Sequence, residues 1–277
     1  MFTLNCKGRL VTAVQPLVMG IINITPDSFH AESRQEDTVA IVKKARQMLD
    51  EGADILDIGG QSTRPGSRLL AAEEETNRVC HAIEAIIGSF PATIISVDTF
   101  YAKVAAAAVA AGASIVNDIS AGAMDEHMLQ TVASLHTPYI CMHMKGTPQT
   151  MQQQAKYENV TTEVLDYFIG KLDVFKKAGI HDIIVDPGFG FAKTSEHNFK
   201  LLKELSVFKI TGKPLLVGLS RKSTISKTLG TTTAGALNGT TVLNTIALQN
   251  GADILRVHDV KEAVEAVKLF SAYQEAQ

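Results

Sequence analysis

Cysteine is scarce in this sequence. Cys6, Cys80 and Cys141 are the only three in 277 residues. An odd, widely spaced set excludes a disulfide framework and suits buried thiols in a reducing, cytoplasmic setting. Basic blocks are absent and the net charge is -3, so the main driving force for non-specific nucleic-acid binding is missing. A local anion site needs only a few residues and stays open. No run of about 20 apolar residues occurs. Lys7 and Arg9 near the start lead into no apolar stretch suited to export, so neither membrane insertion nor secretion is expected. There is no Walker A pattern, no low-complexity linker and no break in composition. The run Gly188-Phe-Gly190-Phe191-Ala-Lys193 half matches a dinucleotide fingerprint, but it lacks the third glycine and follows the sixth strand. Cys141 and His143 lie two apart on a strand and face one side. With no second Cys/His pair at zinc spacing, they read as core.

What is present is an alternation of two textures. Hydrophobic residues make up 45% and charged residues 20%, ordinary for a globular chain and enough for a sizeable core without staples. Eight short β-branched runs occupy 17–22, 54–58, 93–97, 114–116, 139–142, 182–185, 214–217 and 253–257. Stretches of helical spacing lie between them, at 38–51, 71–87, 101–111, 125–135, 159–178, 195–205 and 237–250, and a last one follows at 261–273. In the first, Val39, Val42, Ala45 and Leu49 form one predicted stripe. Gly52, Gly112, Gly179 and Gly251 stand where helices end, as left-handed caps require. The phrase Gly-Ala-Asp-Ile-Leu at 52–56 returns at 251–255, with a close variant at 112–116. This pattern predicts an α/β fold, a single (β/α)8 TIM barrel over 17–277, with residues 1–16 a short hairpin capping its floor. An open doubly wound sheet is the alternative.

Chemistry gathers at one end of the runs. They lead in turn to Asn23, to Asp57 with Gly59 and Gly60, to Asp98, to Asn117 and Asp118, to His143, to Asp186, to Ser220-Arg221-Lys222, and to Arg256 with His258. In a barrel all of these meet at one mouth. Any single one could be a helix N-cap or a solvated loop residue, but barrel stability does not ask for eight polar ends. Asp98, Asn117 and Asp186 suit a flat heterocycle with an N–H edge. Arg64, Arg256 and His258 suit a phosphorylated group. Lys222 can reach either half, or could simply be exposed. Magnesium fits better than zinc, because it needs only one or two protein oxygens, and Asn23 is placed to supply one.

These stretches also carry a family resemblance. Met19-Gly-Ile-Ile-Asn23-Ile-Thr-Pro-Asp27-Ser-Phe29 and Asp57-Ile-Gly-Gly-Gln-Ser-Thr63-Arg64-Pro65-Gly66 resemble the two signatures of the dihydropteroate synthases, within the pterin-binding enzymes. Ser96-Val-Asp98-Thr, Asn117-Asp-Ile, Met142-His-Met-Lys-Gly-Thr-Pro, Asp186-Pro-Gly-Phe-Gly-Phe191, Gly218-Leu-Ser-Arg-Lys222-Ser and Leu255-Arg256-Val-His258-Asp-Val match in order, from about Met19 to Lys261. The resemblance implies a transferase of folate synthesis. It would condense 6-hydroxymethyl-7,8-dihydropterin diphosphate with 4-aminobenzoate by an SN1-like displacement. It implies magnesium on Asn23, and pterin on Asp98, Asn117, Asp186 and Lys222. The diphosphate would lie on Asn23, Thr63, Arg64, Arg256 and His258. The aminobenzoate would meet Thr63, Arg64, Pro65, Phe191, Ser220 and Lys222. Asn23, Lys222, Arg256 and His258 would be catalytic. It further implies a homodimer and a sulfonamide target.

Two departures stand out. Ala31 occupies a place where family members often carry an acidic residue. Ala192 replaces a usual glycine, which is tolerable if its φ is negative. Two rivals remain, a pterin-dependent methyltransferase and a catalytically silent pterin-binding protein. Residues 62–65 and 220–222 favour the synthase over the first.

Overall fold

The computed structural model describes residues 1–24, 34–62 and 69–276, with nothing said of the side chains of 34–36. It opens with a hairpin of β1 (Phe2–Cys6) and β2 (Arg9–Ala13). Its two-residue turn, Lys7-Gly8, has φ of 52° and 84°, the doubly positive pattern that matches strand twist. Eight parallel strands follow: β3 (Leu17–Asn23), β4 (Ile55–Gly59), β5 (Ile94–Asp98), β6 (Ile115–Asp118), β7 (Tyr139–Met142), β8 (Ile183–Asp186), β9 (Leu216–Val217) and β10 (Ile254–Val257). They pair in the order β8-β7-β6-β5-β4-β3-β10-β9. The ring closes where Val185 N donates to Pro214 O at 3.0 Å, beside a parallel bridge from Val185 to Leu215. The expected barrel is therefore the fold.

Alternation along each strand sorts its residues. Leu56, Ile58, Ile95, Val97, Val116, Cys141, Val185, Val217, Leu255 and Val257 point outward into the main core beneath the helices. Met19, Ile55, Ile94, Ile115, Ile140, Ile184, Leu216 and Ile254, one from each strand, point inward as a single apolar layer. Leu4 and Cys6 of the hairpin pack on this layer and close the floor. Asn5 N donates to Asp182 Oδ2 at 2.9 Å, and Lys7 Nζ to Val109 O at 2.7 Å, pinning the hairpin there.

The outer helices are α1 (Arg34–Asp50), α2 (Ala72–Ser89), α3 (Ala102–Ala111), α4 (Met128–Leu135), α5 (Val160–Lys177), α6 (Ser195–Lys203), α7 (Ser223–Leu229), α8 (Leu237–Gln249) and α9 (Val260–Glu275). The stripe predicted for α1 is turned on its axis. Val39 is 67% exposed, and Ile41, Ala45 and Met48 face the barrel instead. Among the seven residues of α7 a periodicity is too short to register, and the sequence reading passes over it. Gly52, Gly112, Gly179 and Gly251 all take positive φ, as their capping positions require. Among the described residues, no helix is long and apolar enough to cross a membrane.

Candidate active site

Two residues above the floor layer, five of the eight inward positions turn polar. Asp57, Ser96, Asn117, Asp186 and Arg256 occupy this second layer. Asn23, Asp98, Ser220 and His258 stand at or just past the strand ends, one step further toward the mouth. Gly59 lies between Asn23 and Asp98: a Cβ there would sit 3.5 Å from Asn23 Oδ1 and 3.6 Å from Asp98 Cβ, ordinary contacts.

Asp57 is the hub of the cluster. It is fully buried, and its carboxylate accepts from Arg256 Nε at 2.6 Å and from Asn117 Nδ2 at 3.2 Å. Arg256 Nη2 also donates to Asp98 Oδ2 at 2.5 Å. A planar guanidinium with fixed donors suits such bridging of two carboxylates. From sequence alone, Arg256 belongs with the cations, apart from the carboxylates, and Asp57 only ends a strand; in the structure Arg256 lies between Asp57 and Asp98. Burial pushes Asp98 up to about 7 against the opposing pull of Arg256, with Asp57, Asp118 and Asp186 adding repulsion. Burial likewise raises Asp186, whose Oδ1 accepts from Gly188 N at 2.7 Å.

Lys222 stands beside Arg256, just past the neighbouring strand β9: a Cβ on Gly218 would lie 3.8 Å from Lys222 Nζ and 4.0 Å from Arg256 Cβ. Its Nζ donates to Phe189 O and lies 4.8 Å from the centre of the Phe191 ring. Burial lowers it to about 8, although Asp186 pulls it back up. Gly190, at φ +80°, lets the chain pass beside it, since a Cβ there would lie 3.1 Å from Lys222 Cδ. Phe191 belongs to an apolar wall with Phe100, Ile119 and Met142. Ser220 Oγ and His258 Nδ1 are 3.0 Å apart, and His258 N donates to the same hydroxyl at 3.1 Å.

Behind the site lies a buried amine that the motifs do not announce. Lys193 Nζ lies 3.0 Å from His143 Nδ1 and donates to Phe191 O at 3.0 Å. Burial holds Lys193 well below its ordinary value, and burial with the Lys193 and Lys145 charges lowers His143 to about 2. His143 thus supports the loop after β8, and its pairing with Cys141 as core holds, since both are buried. Glu75 of α2 is another such group. Gln61 Nε2 donates to it at 2.5 Å, and burial raises it to about 7.

Asn23, Asp98, Asn117, Asp186, Phe191, Ser220, Lys222, Arg256 and His258 therefore come together. Thr63, Arg64 and Pro65 lie outside the described residues, as does Ala31. Asp98 and Asp186 do not cap helices: Tyr101 is the N-cap of α3, and Thr194 caps α6 with a capping box. The expectation for Ala192 needs correction, because its φ is +49°, a left-handed conformation in which glycine is the cheaper residue. Among the described residues, no group of three or more His, Cys, Asp or Glu side chains could hold a metal. The exposed Asn23 amide at the rim fits an ion that takes most of its oxygens from substrate and water, as magnesium does.

A family model described as pterin binding enzyme matches residues 19–258. The chain is 42% identical over 271 residues to the dihydropteroate synthase of Escherichia coli strain K12, covering 97% of this chain and 95% of that one. It is also similar to two solved structures from Xanthomonas albilineans. One, a dihydropteroate synthase with 4-aminobenzoic acid, superposes at a TM-score of 0.91 with 39% identity over 99% of both chains. The other, with 7,8-dihydropteroate, superposes at 0.89 with 36% identity over the full length of both.

Proposed function

This chain belongs to the pterin-binding enzyme family as one of its dihydropteroate synthases, and from that premise we propose that it joins 6-hydroxymethyl-7,8-dihydropterin diphosphate to 4-aminobenzoate, yielding 7,8-dihydropteroate and pyrophosphate. One observation carries the reading at the level of residues: three carboxylates and an amide gather around a single bridging arginine, with a lysine beside it.

Asp98, Asn117 and Asp186 would hold the pterin edge, since carboxylates accept paired N–H bonds. Lys222 would reach the ring from the Phe191 side. The diphosphate would lie on Thr63, Arg64, Arg256 and His258, and the aminobenzoate against Thr63, Arg64, Pro65, Phe191, Ser220 and Lys222. An aryl amine is already neutral at pH 7, so no strong base is required. The demanding step is departure of pyrophosphate, and cations preorganised at the mouth stabilise the charge that develops on it. The electron-rich pterin shares the positive charge left on its methylene carbon, which favours an SN1-like displacement without a covalent enzyme intermediate. Magnesium, when bound by Asn23 and the diphosphate oxygens, would supply further positive charge to the leaving group.

We assign the protein to the cytoplasm and treat 17–277 as one barrel domain capped by 1–16. A second copy would dock on the face of α8 and α9. The stripe over 242–248 reads from sequence as core or interface; Ala247 and Leu248 are buried, whereas Val242 and Ile246 are exposed, and so are Leu269 and Tyr273 of α9. Such an apolar face supports a homodimer.

Pyrophosphate release tests the reading. Purified protein should release it only with both substrates, and chelation of magnesium should abolish the release. Binding of the dihydropterin without any release would instead support a silent pterin-binding protein.

A further inference from the structure

Arg221 sits between Ser220 and Lys222, yet it faces away from the mouth. Its φ is +53°, a left-handed conformation that a side-chain-bearing residue adopts at a cost and that persists only when its surroundings hold it. They do so on several sides. Arg221 N donates to Thr240 Oγ1 at 3.0 Å, and Nη1 donates to Thr233 O and Ala234 O, each at 3.2 Å. The remaining donors form a fork on Asp259, with Nε to Oδ2 at 2.8 Å and Nη2 to Oδ1 at 2.7 Å. Both side chains are largely covered, at 25% and 17% exposure, so the pair is better shielded than a free surface ion pair.

The register of this fork matters. Ser220 pairs with His258, and Arg221 pairs with Asp259, so two adjacent residues after β9 meet two adjacent residues after β10. The inner pair faces the mouth and the outer pair lies behind it. The serine hydroxyl already accepts His258 N–H. Donation of its own proton to Nδ1 then leaves the imidazole proton on Nε2, the tautomer that offers a donor to an anion.

We infer that the Arg221–Asp259 pair is a positioning clasp that joins the loops after β9 and β10 and holds the Ser220–His258 hydrogen bond, and through it the orientation of His258. This rests on the assignment of Ser220 and His258 to the substrate site. Arg221 and Asp259 themselves touch no substrate in that scheme.

The test compares Arg221→Met, Arg221→Lys, Asp259→Asn and the Met/Asn double variant by steady-state kinetics with both substrates, thermal unfolding, and nitrogen NMR of the His258 ring. A misplaced group can cost up to about 10²-fold, so Arg221→Met and Asp259→Asn are each expected to lower kcat/KM by roughly tenfold and to shift the His258 ring signals. The double variant should be no worse than the poorer single, and Arg221→Lys, which keeps one charge contact but loses the fork, should fall between. Unchanged kinetics and unchanged His258 signals, with only a lower melting temperature, would overturn the clasp. Losses that multiply in the double variant would overturn it too. Should Arg221→Met fail to fold, Asp259→Asn and Arg221→Lys still decide. If the wild type releases no pyrophosphate, the assignment of the activity fails, while the His258 signals still report on the clasp.

Discussion

Asp98 and Lys222 carry opposite charges across the mouth, and burial penalises both. Asp98 is pushed up to about 7 and Lys222 down to about 8. If the pterin edge needs the Asp98 carboxylate and the ring needs the Lys222 ammonium, kcat/KM should trace a narrow bell. It should fall as the pH drops through about 7 and again as it rises through about 8. Lys222→Arg should carry the alkaline limb upward, because arginine stays charged; an unmoved limb would assign it to another group. Stability has its own sign. A carboxyl raised in the folded state contributes stability that is complete below its unfolded value of about 4 and is lost as the pH climbs through its folded value. For Asp98 and Glu75 that loss runs from about pH 4 to about pH 7 and is complete above it. Asp98 and Asp186 were legible in the sequence because each ends an apolar run. Asp57 was only half legible. Its place two residues past Ile55 puts it on the inward face, but nothing in a linear pattern says that Arg256, 199 residues away, will meet it. Nor does the pattern reveal that Lys193 is buried, since lysine is ordinarily exposed.

The strands were the most readable elements. Parallel strands covered on both faces appear as continuous β-branched runs, and the observed strands lie on the eight expected runs within a residue or two. Helix faces were less readable. A stripe defined by Val39, Val42, Ala45 and Leu49 and one defined by Ile41, Ala45 and Met48 share a residue and differ by a modest rotation, so only packing selects between them. The hairpin had the weakest signal, yet its task is plain in the fold. Leu4 covers the apolar floor from below, at the end of the barrel away from the mouth. Leu4→Ala should cost about 2–5 kcal/mol of stability, as buried leucine truncations do, while kcat stays unchanged. Denaturant unfolding alongside turnover would check this. A loss of kcat at full occupancy of the folded state would mean that floor and mouth are coupled.

At the scale of the molecule, the fold converts separation along the chain into proximity. An inward layer of eight apolar side chains forms the base. Polar residues from Asn23 to His258 stand above it, on seven different strand ends. None of these segments could make such a site alone, and the closed ring leaves them little freedom to misalign. Catalysis requires that this convergence serve one ligand. A crystal structure with the dihydropterin diphosphate bound tests it most directly. The ring edge should lie within hydrogen-bond reach of Asp98, Asn117 and Asp186, with Lys222 on the Phe191 side and the diphosphate toward His258. A ring bound away from those carboxylates would contradict the account.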